Sequence, residues 1–137
     1  MDNPLPRGQN QLVLVVDDEE AIRAVATDVL ARHGYRVVVA ENGEAAAALF
    51  SAHAEQIELV LTDLDMPVMD GHRFVRVIKQ MNPDLRVIVS TGRPGARLAP
   101  SAAASLEKLP GVAFLDKPYT ISQMLHAVRA QLSAAAT

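Results

Sequence analysis

Short runs of β-branched residues alternate along this chain with longer Ala- and Leu-rich stretches whose apolar positions recur three and four residues apart. The runs predict strands over 12–16, 36–40, 59–62, 86–90 and 112–115. The periodic stretches predict helices over 20–33, 43–54, 72–81, 97–108 and 122–133. Three strand cores, "LVLVV", "LVLT" and "VIVS", are almost continuously apolar, the pattern expected of strands covered on both faces by helices. Consecutive βα units of this kind make an α/β domain built on a parallel sheet. The punctuation agrees: Gly34 can end the first helix, "ENG" at 41–43 turns into the second, and "NPD" at 82–84 separates the third helix from a strand. Pro100 and the Ala/Ser-rich run 101–105 leave the start of the fourth helix undefined. Residues 1–11, with Pro4, Pro6 and Gly8, read as an N-terminal tail or linker and 134–137 as a fraying C-terminal tail, which leaves 12–133 as the folded domain. No internal repeat is visible.

Composition narrows the class. A chain of 137 residues, 50% of them hydrophobic, sits at the usual size of one domain and can bury roughly two-thirds of the surface its unfolded form exposes. The net charge is −3 and the Lys and Arg residues form no basic stripe, so no direct nucleic-acid binding is expected. The absence of cysteine removes disulfides, thiolate catalysis and thiolate metal sites together. No apolar run approaches the ~20 residues needed to cross a bilayer, and the first ten residues lack a hydrophobic signal core. The expectation is a soluble, cytoplasmic domain without membrane contact.

The chemistry gathers where the strands end. In an open parallel sheet the functional site lies at the carboxyl ends of the strands, near the point where strand order reverses. Asp17 and Asp18 follow the first strand, Asp63 the third, Thr91 the fourth and Lys117 the fifth, so five polar groups converge on one edge. Three of them are carboxylates. Like charges about 4 Å apart repel by about 4 kcal/mol per pair at an effective dielectric near 20. A hard divalent cation removes that cost, and Mg2+ suits an oxygen-only site with few protein ligands and retained waters that phosphate oxygens can replace.

Asp17-Asp18, "LTDLDMPVMDG" (61–71), "VIVSTG" (87–92) and "FLDKP" (114–118), in this order, resemble the receiver domain of two-component response regulators, over nearly the whole chain. The resemblance implies a flavodoxin-like, doubly wound (βα)5 fold with strand order 2-1-3-4-5, which takes a phosphoryl group from a phosphohistidine onto an aspartate. Asp63 is then the phosphoacceptor. Asp18 matches the direct metal ligand and Asp17 the ligand acting through water, alongside Asp63 and the backbone carbonyl of Asp65, with Mg2+ as the cofactor and Mn2+ as a substitute. Lys117 matches the point charge on a phosphoryl oxygen. Thr91 matches the switch hydroxyl, and Phe114 stands at the switch aromatic position, where tyrosine is common, so that the switch would work by packing without a hydroxyl bond. Asp65 and Arg93 lie two residues after the acceptor and two after the threonine; their opposite charges suggest a lid that sets the lifetime of the phosphoryl group. The implied partner is a histidine kinase or histidine phosphotransfer protein, the domain acting as a monomer or weak homodimer and as a signalling phosphoacceptor that catalyses its own phosphorylation and slow dephosphorylation.

Each of these residues also has a structural reading. Asp17 and Asp18 could cap a helix, Asp63 could end a turn, Lys117 could be a surface lysine and Thr91 could open a glycine loop. Holding all of these at once requires four independent coincidences. His33, His53, His72 and His126 share no common site and read as surface or packing residues. Segment 92–116 is a few residues longer than the usual receiver pattern. One alternative is a haloacid-dehalogenase-like phosphatase with Asp63 as nucleophile and Asp65 as acid/base, although that motif normally stands on the first strand. Another is a flavin- or nucleotide-binding module, which would need a neutral or cationic phosphate loop where this chain has "DDEEAI". The stretch "LPRGQNQLVLVVDDEEAIR" (5–23) resembles the linker that enters the carboxy-terminal receiver of hybrid sensor histidine kinases, so the domain is either a stand-alone regulator or a receiver segment of such a kinase.

Overall fold

The computed structural model describes residues 5–64, 71–91, 106 and 108–135. Along the chain these form β1 (Leu12–Val16), α1 (Glu20–Arg32), β2 (Arg36–Ala40), α2 (Gly43–Ala52), β3 (Ile57–Asp63), α3 (Gly71–Met81), β4 (Arg86–Thr91), β5 (Val112–Asp116) and α4 (Ile121–Ala135). The helix expected over 97–108 lies outside the described residues except at Leu106 and Lys108, as do Asp65 and Arg93.

The five strands form one parallel sheet in the order β2-β1-β3-β4-β5. This is the doubly wound, flavodoxin-like order, and it follows from the alternation within the apolar runs. Leu12, Leu14 and Val16 of β1 face a core shared with Phe50 of α2 and with Phe74, Val75 and Ile78 of α3. Val13 and Val15 face the other way, onto Ala26, Val29 and Leu30 of α1 and Met124, Leu125 and Val128 of α4. A central strand buried on both sides has no polar face, which is why β1 reads as a continuous apolar run. Each fully buried Val or Leu contributes about 1.5–3 kcal/mol of transfer free energy, so the two half-cores fix the sheet between its helix layers.

Two local details position the site. Asn42 caps α2, its side-chain oxygen accepting from the Ala45 N–H at 2.8 Å. At α1 the N-cap residue Glu19 makes no such bond. Instead the Asp17 carboxylate accepts the Glu19 N–H at 3.0 Å and so braces the turn between β1 and α1. Residues 5–11, expected as tail or linker, lie against the fold. The Gly8 N–H donates to His33 O and the Asn10 N–H to Gly34 O, both at 2.7 Å, while Arg129 of α4 donates to Arg7 O at 2.7 Å. The approach depends on Gly34: its φ is +94°, and a Cβ there would stand 2.7 Å from Gly8 O.

Candidate functional site

The sheet brings Asp17, Asp63 and Lys117 together at the carboxyl ends of β1, β3 and β5. Asp17 is the residue after β1, Asp63 is the last residue of β3, and both are buried at 3–4% exposure. Asp18 is exposed. One carboxylate oxygen from each of Asp17, Asp18 and Asp63 lies within 4.8 Å of the others. The three acids expected from sequence to form a cluster therefore do so, two at the floor and one at the solvent side.

Lys117 spans the floor. Its Nζ donates to Asp17 Oδ2 at 3.0 Å and stands 3.5 Å from Asp63 Oδ2. Asp17 is consequently used twice: Oδ1 holds the β1–α1 turn and Oδ2 holds the lysine. Its carbonyl oxygen also accepts from Arg23 Nη1 at 2.8 Å. Burial of the Lys117 ammonium pulls its pKa down, but the hydrogen bond it donates to Asp17 and the charges of Asp17 and Asp63 outweigh that pull and leave it raised above 10.5. The lysine is thus firmly charged. Burial also raises the pKa of Tyr119, two residues on, against the opposing charge of Lys117.

Thr91 ends β4 directly opposite Asp116, the last residue of β5, and the Lys117 N–H donates to Thr91 O at 2.8 Å. The Thr91 hydroxyl donates to Asp116 Oδ1 at 3.4 Å. Phe114 is half-buried against the core on the α2/α3 face. His33 and His126 bond carbonyls of their own helices, Val29 O at 2.7 Å and Ser122 O at 2.8 Å, in keeping with packing or surface roles. Beside Lys117, a cleft of about 510 Å³ opens between α1 and α4, lined by Ala21, Ile22, Val25, Pro118, Tyr119 and Met124. Two features escaped the sequence reading. Asp116 was visible inside "FLDKP", but its partnership with Thr91 exists only once β4 and β5 are neighbours in register. The cleft draws on residues nearly a hundred positions apart, which no local pattern joins.

The donor set fits a hard cation. It is made of oxygens only, two buried carboxylates and one facing solvent, all within reach of one another. No helix among the described residues is long and apolar enough to cross a membrane.

Comparison with known proteins agrees with this geometry. The sequence profile described as "Response regulator receiver domain" matches residues 13–129. The chain is similar to the Sensor kinase CckA of Brucella abortus (strain 2308), with 29% identity over 120 residues, which cover 88% of this chain and 12% of that protein. The chain therefore spans only a small part of that kinase's length. It is similar as well to the Chemotaxis protein CheY of Bacillus subtilis (strain 168), with 30% identity over 122 residues, 88% of this chain and 97% of that protein. Among solved structures, a response regulator receiver domain protein from Clostridium thermocellum superimposes with a TM-score of 0.80 at 26% identity, covering 90% of this chain and 95% of that one. The haloacid-dehalogenase-like alternative finds no support in these matches. With fold, strand-end chemistry and sequence profile in agreement, the chain belongs to the response regulator receiver domain family, whose members are signalling phosphoacceptors and not classical enzymes.

Proposed function

We propose that this domain takes a phosphoryl group from the phosphohistidine of a kinase or phosphotransfer protein onto Asp63. A single observation carries the assignment: the Lys117 ammonium sits 3.5 Å from Asp63 Oδ2 and 3.0 Å from Asp17 Oδ2, at the floor of a three-carboxylate cluster. The attacking group is a carboxylate oxygen of Asp63. As its bond to phosphorus forms, the bond between phosphorus and the partner's imidazole nitrogen breaks, and the electron pair returns to the imidazole. Positioning and charge neutralisation do most of the work in such transfers. The β3 backbone fixes Asp63, and burial keeps bulk water from its flanks. Lys117, anchored through Asp17, is within reach of an oxygen on the incoming group.

Asp17, Asp18 and Asp63, with the carbonyl of Asp65 that the family pattern adds, would hold Mg2+, which when bound neutralises the phosphoryl oxygens. Thr91 would then donate its hydroxyl to another of those oxygens. Phe114, packed against the core by its ring alone, would follow by repacking. Receiver domains in phosphorelays act with histidine kinases or phosphotransfer proteins. In this chain the apolar cleft between α1 and α4 borders Lys117, so a histidine-bearing helix seated there would lie next to the acceptor. The cytoplasm is the compartment this reading implies, whether the domain acts alone or as a segment of a hybrid kinase.

Incubation with acetyl phosphate and Mg2+, followed by mass spectrometry, tests the assignment. One phosphoryl group per chain is expected, lost in Asp63→Ala and on chelation of Mg2+. Labelling that persists in Asp63→Ala overturns it, and so does continuous turnover of p-nitrophenyl phosphate.

A further inference from the structure

Asp116 lies between the two side chains that the phosphoacceptor reading assigns to the phosphoryl oxygens. Lys117 is its neighbour along the chain, and Thr91 is its partner across the β4–β5 ladder. The backbone bond from Lys117 N–H to Thr91 O, 2.8 Å, ties these strand ends together and keeps the Thr91 and Asp116 side chains side by side. In this arrangement the Thr91 hydroxyl donates to Asp116 Oδ1. A threonine hydroxyl has one proton to donate. It therefore cannot serve Asp116 and a phosphoryl oxygen at once, and whatever stabilises the first arrangement is subtracted from the second.

We propose that Asp116 is a positioning residue that holds the Thr91 hydroxyl in its unphosphorylated orientation and so sets how strongly the domain responds to phosphorylation. The proposal rests on the phosphoacceptor reading of Asp63. The 3.4 Å separation and the exposure of Asp116 make this a weak restraint, competing with water. A weak restraint is what a reversible switch requires, because a ligand must outbid it to shift the population. The rival view is a surface contact with no consequence for the site.

The test uses beryllofluoride with Mg2+ as the phosphoryl mimic and follows binding by 19F NMR, together with the χ1 couplings of Thr91 in the metal-free, unmodified protein. Asp116→Ala is expected to raise the apparent beryllofluoride affinity about three-fold, the size set by one weak hydrogen bond, and to average the Thr91 rotamer. Asp116→Asn keeps an acceptor oxygen while removing the charge, and is expected to restore most of the wild-type affinity and couplings. In a Thr91→Ala background the Asp116→Ala gain disappears. Equal affinities for wild type and Asp116→Ala overturn the proposal. A gain shared by Asp116→Asn, or one that survives in Thr91→Ala, overturns it in favour of simple charge repulsion. If Asp63 is still labelled by acetyl phosphate in those cases, the phosphoacceptor reading stands and only the role of Asp116 falls; if Asp63 is not labelled in wild type, both fall.

Discussion

Replacing Lys117 with methionine isolates what the ammonium does for the acid cluster. Methionine keeps the length and apolar stem of the side chain and removes only the charge. At 3.0 and 3.5 Å the Coulomb attractions to Asp17 and Asp63 are each about 5 kcal/mol at an effective dielectric near 20. Desolvation of the two buried carboxylates and the partly buried ammonium offsets most of this. What the substitution leaves behind is two buried carboxylates, at 3% and 4% exposure, that have both lost this ammonium. Stripping one partner from a buried ion pair costs about 3–5 kcal/mol, and the solvent-facing side of this cluster places it at the lower end, about 3 kcal/mol. For a chain of this size that is a fall of roughly 10 °C in Tm. Divalent cation then distinguishes the cause. On the Mg2+ assignment proposed above, lysine and Mg2+ would share the same carboxylates, so the variant is expected to bind Mg2+ more tightly and to regain more stability from it than wild type does. Calorimetry across a Mg2+ titration reads both effects, and the Tm gap should narrow as Mg2+ rises. A metal-free variant as stable as wild type, or equal Mg2+ increments in the two proteins, would refute the reasoning. The pH dependence follows with a definite sign. Because the folded pKa of Lys117 is raised, its contribution is fully present below 10.5 and is lost as pH climbs through the raised value, so the two proteins should converge only in strong alkali.

Three further outcomes are expected. Asp18→Asn should weaken Mg2+ binding about ten-fold while leaving metal-free Tm unchanged or slightly higher, because Asp17 and not Asp18 braces the start of α1; a clear loss of metal-free stability, measured by calorimetry, would return Asp18 to a capping role. Lys79→Met should lower the free energy of unfolding, measured by urea denaturation, by about 2 kcal/mol without altering Asp63 labelling, since three carbonyls, that of Leu85 buried, lose a charged donor. In the sequence Asp65 lies two residues after the proposed acceptor Asp63 and Arg93 two after the proposed switch threonine Thr91, so on the lid reading Asp65→Ala and Arg93→Ala should each speed phosphate release, with the double variant no faster than the quicker single one; unchanged rates in both singles would remove the lid.

Much of the fold was legible because a buried parallel strand has an unmistakable composition. β1 and β2 occupy the residues that their β-branched runs predict. β3 begins earlier than expected, at Ile57, because the exposed Glu58 interrupts the apolar run without interrupting the strand. Placing Asp17, Asp63 and Lys117 in one site needed only the rule that parallel strands deliver their following residues to the same edge. The Thr91–Asp116 bond and the α1–α4 cleft were not legible, since both depend on which elements become neighbours. The docking of residues 5–11 was hidden for another reason: it is made by backbone groups and a glycine contact, and neither leaves a hydrophobic period.

Lys79 shows a subtler limit, and a contrast that bears on function. A lysine on α3, it is nevertheless buried, with Nζ donating to the carbonyls of Pro83, Leu85 and Pro110 at 2.7, 2.9 and 2.6 Å. Its partners at these three bonds are neutral dipoles, so burial, reinforced by Arg86, lowers its pKa despite the nearby charge of Asp84. Lys117, at the opposite end of the sheet, has carboxylates for partners and is raised. The three carbonyls around Lys79 belong to the α3–β4 connection and the approach to β5; a cation bound there locks those turns and has no reason to leave. The carboxylates around Lys117 share a single ammonium and lie beside the exposed Asp18, so they can be shared with another cation as an incoming phosphoryl group arrives. The same side chain therefore makes one end of the sheet rigid and leaves the other exchangeable, and exchange of partners is what a phosphoacceptor site must do at every turnover of its signal.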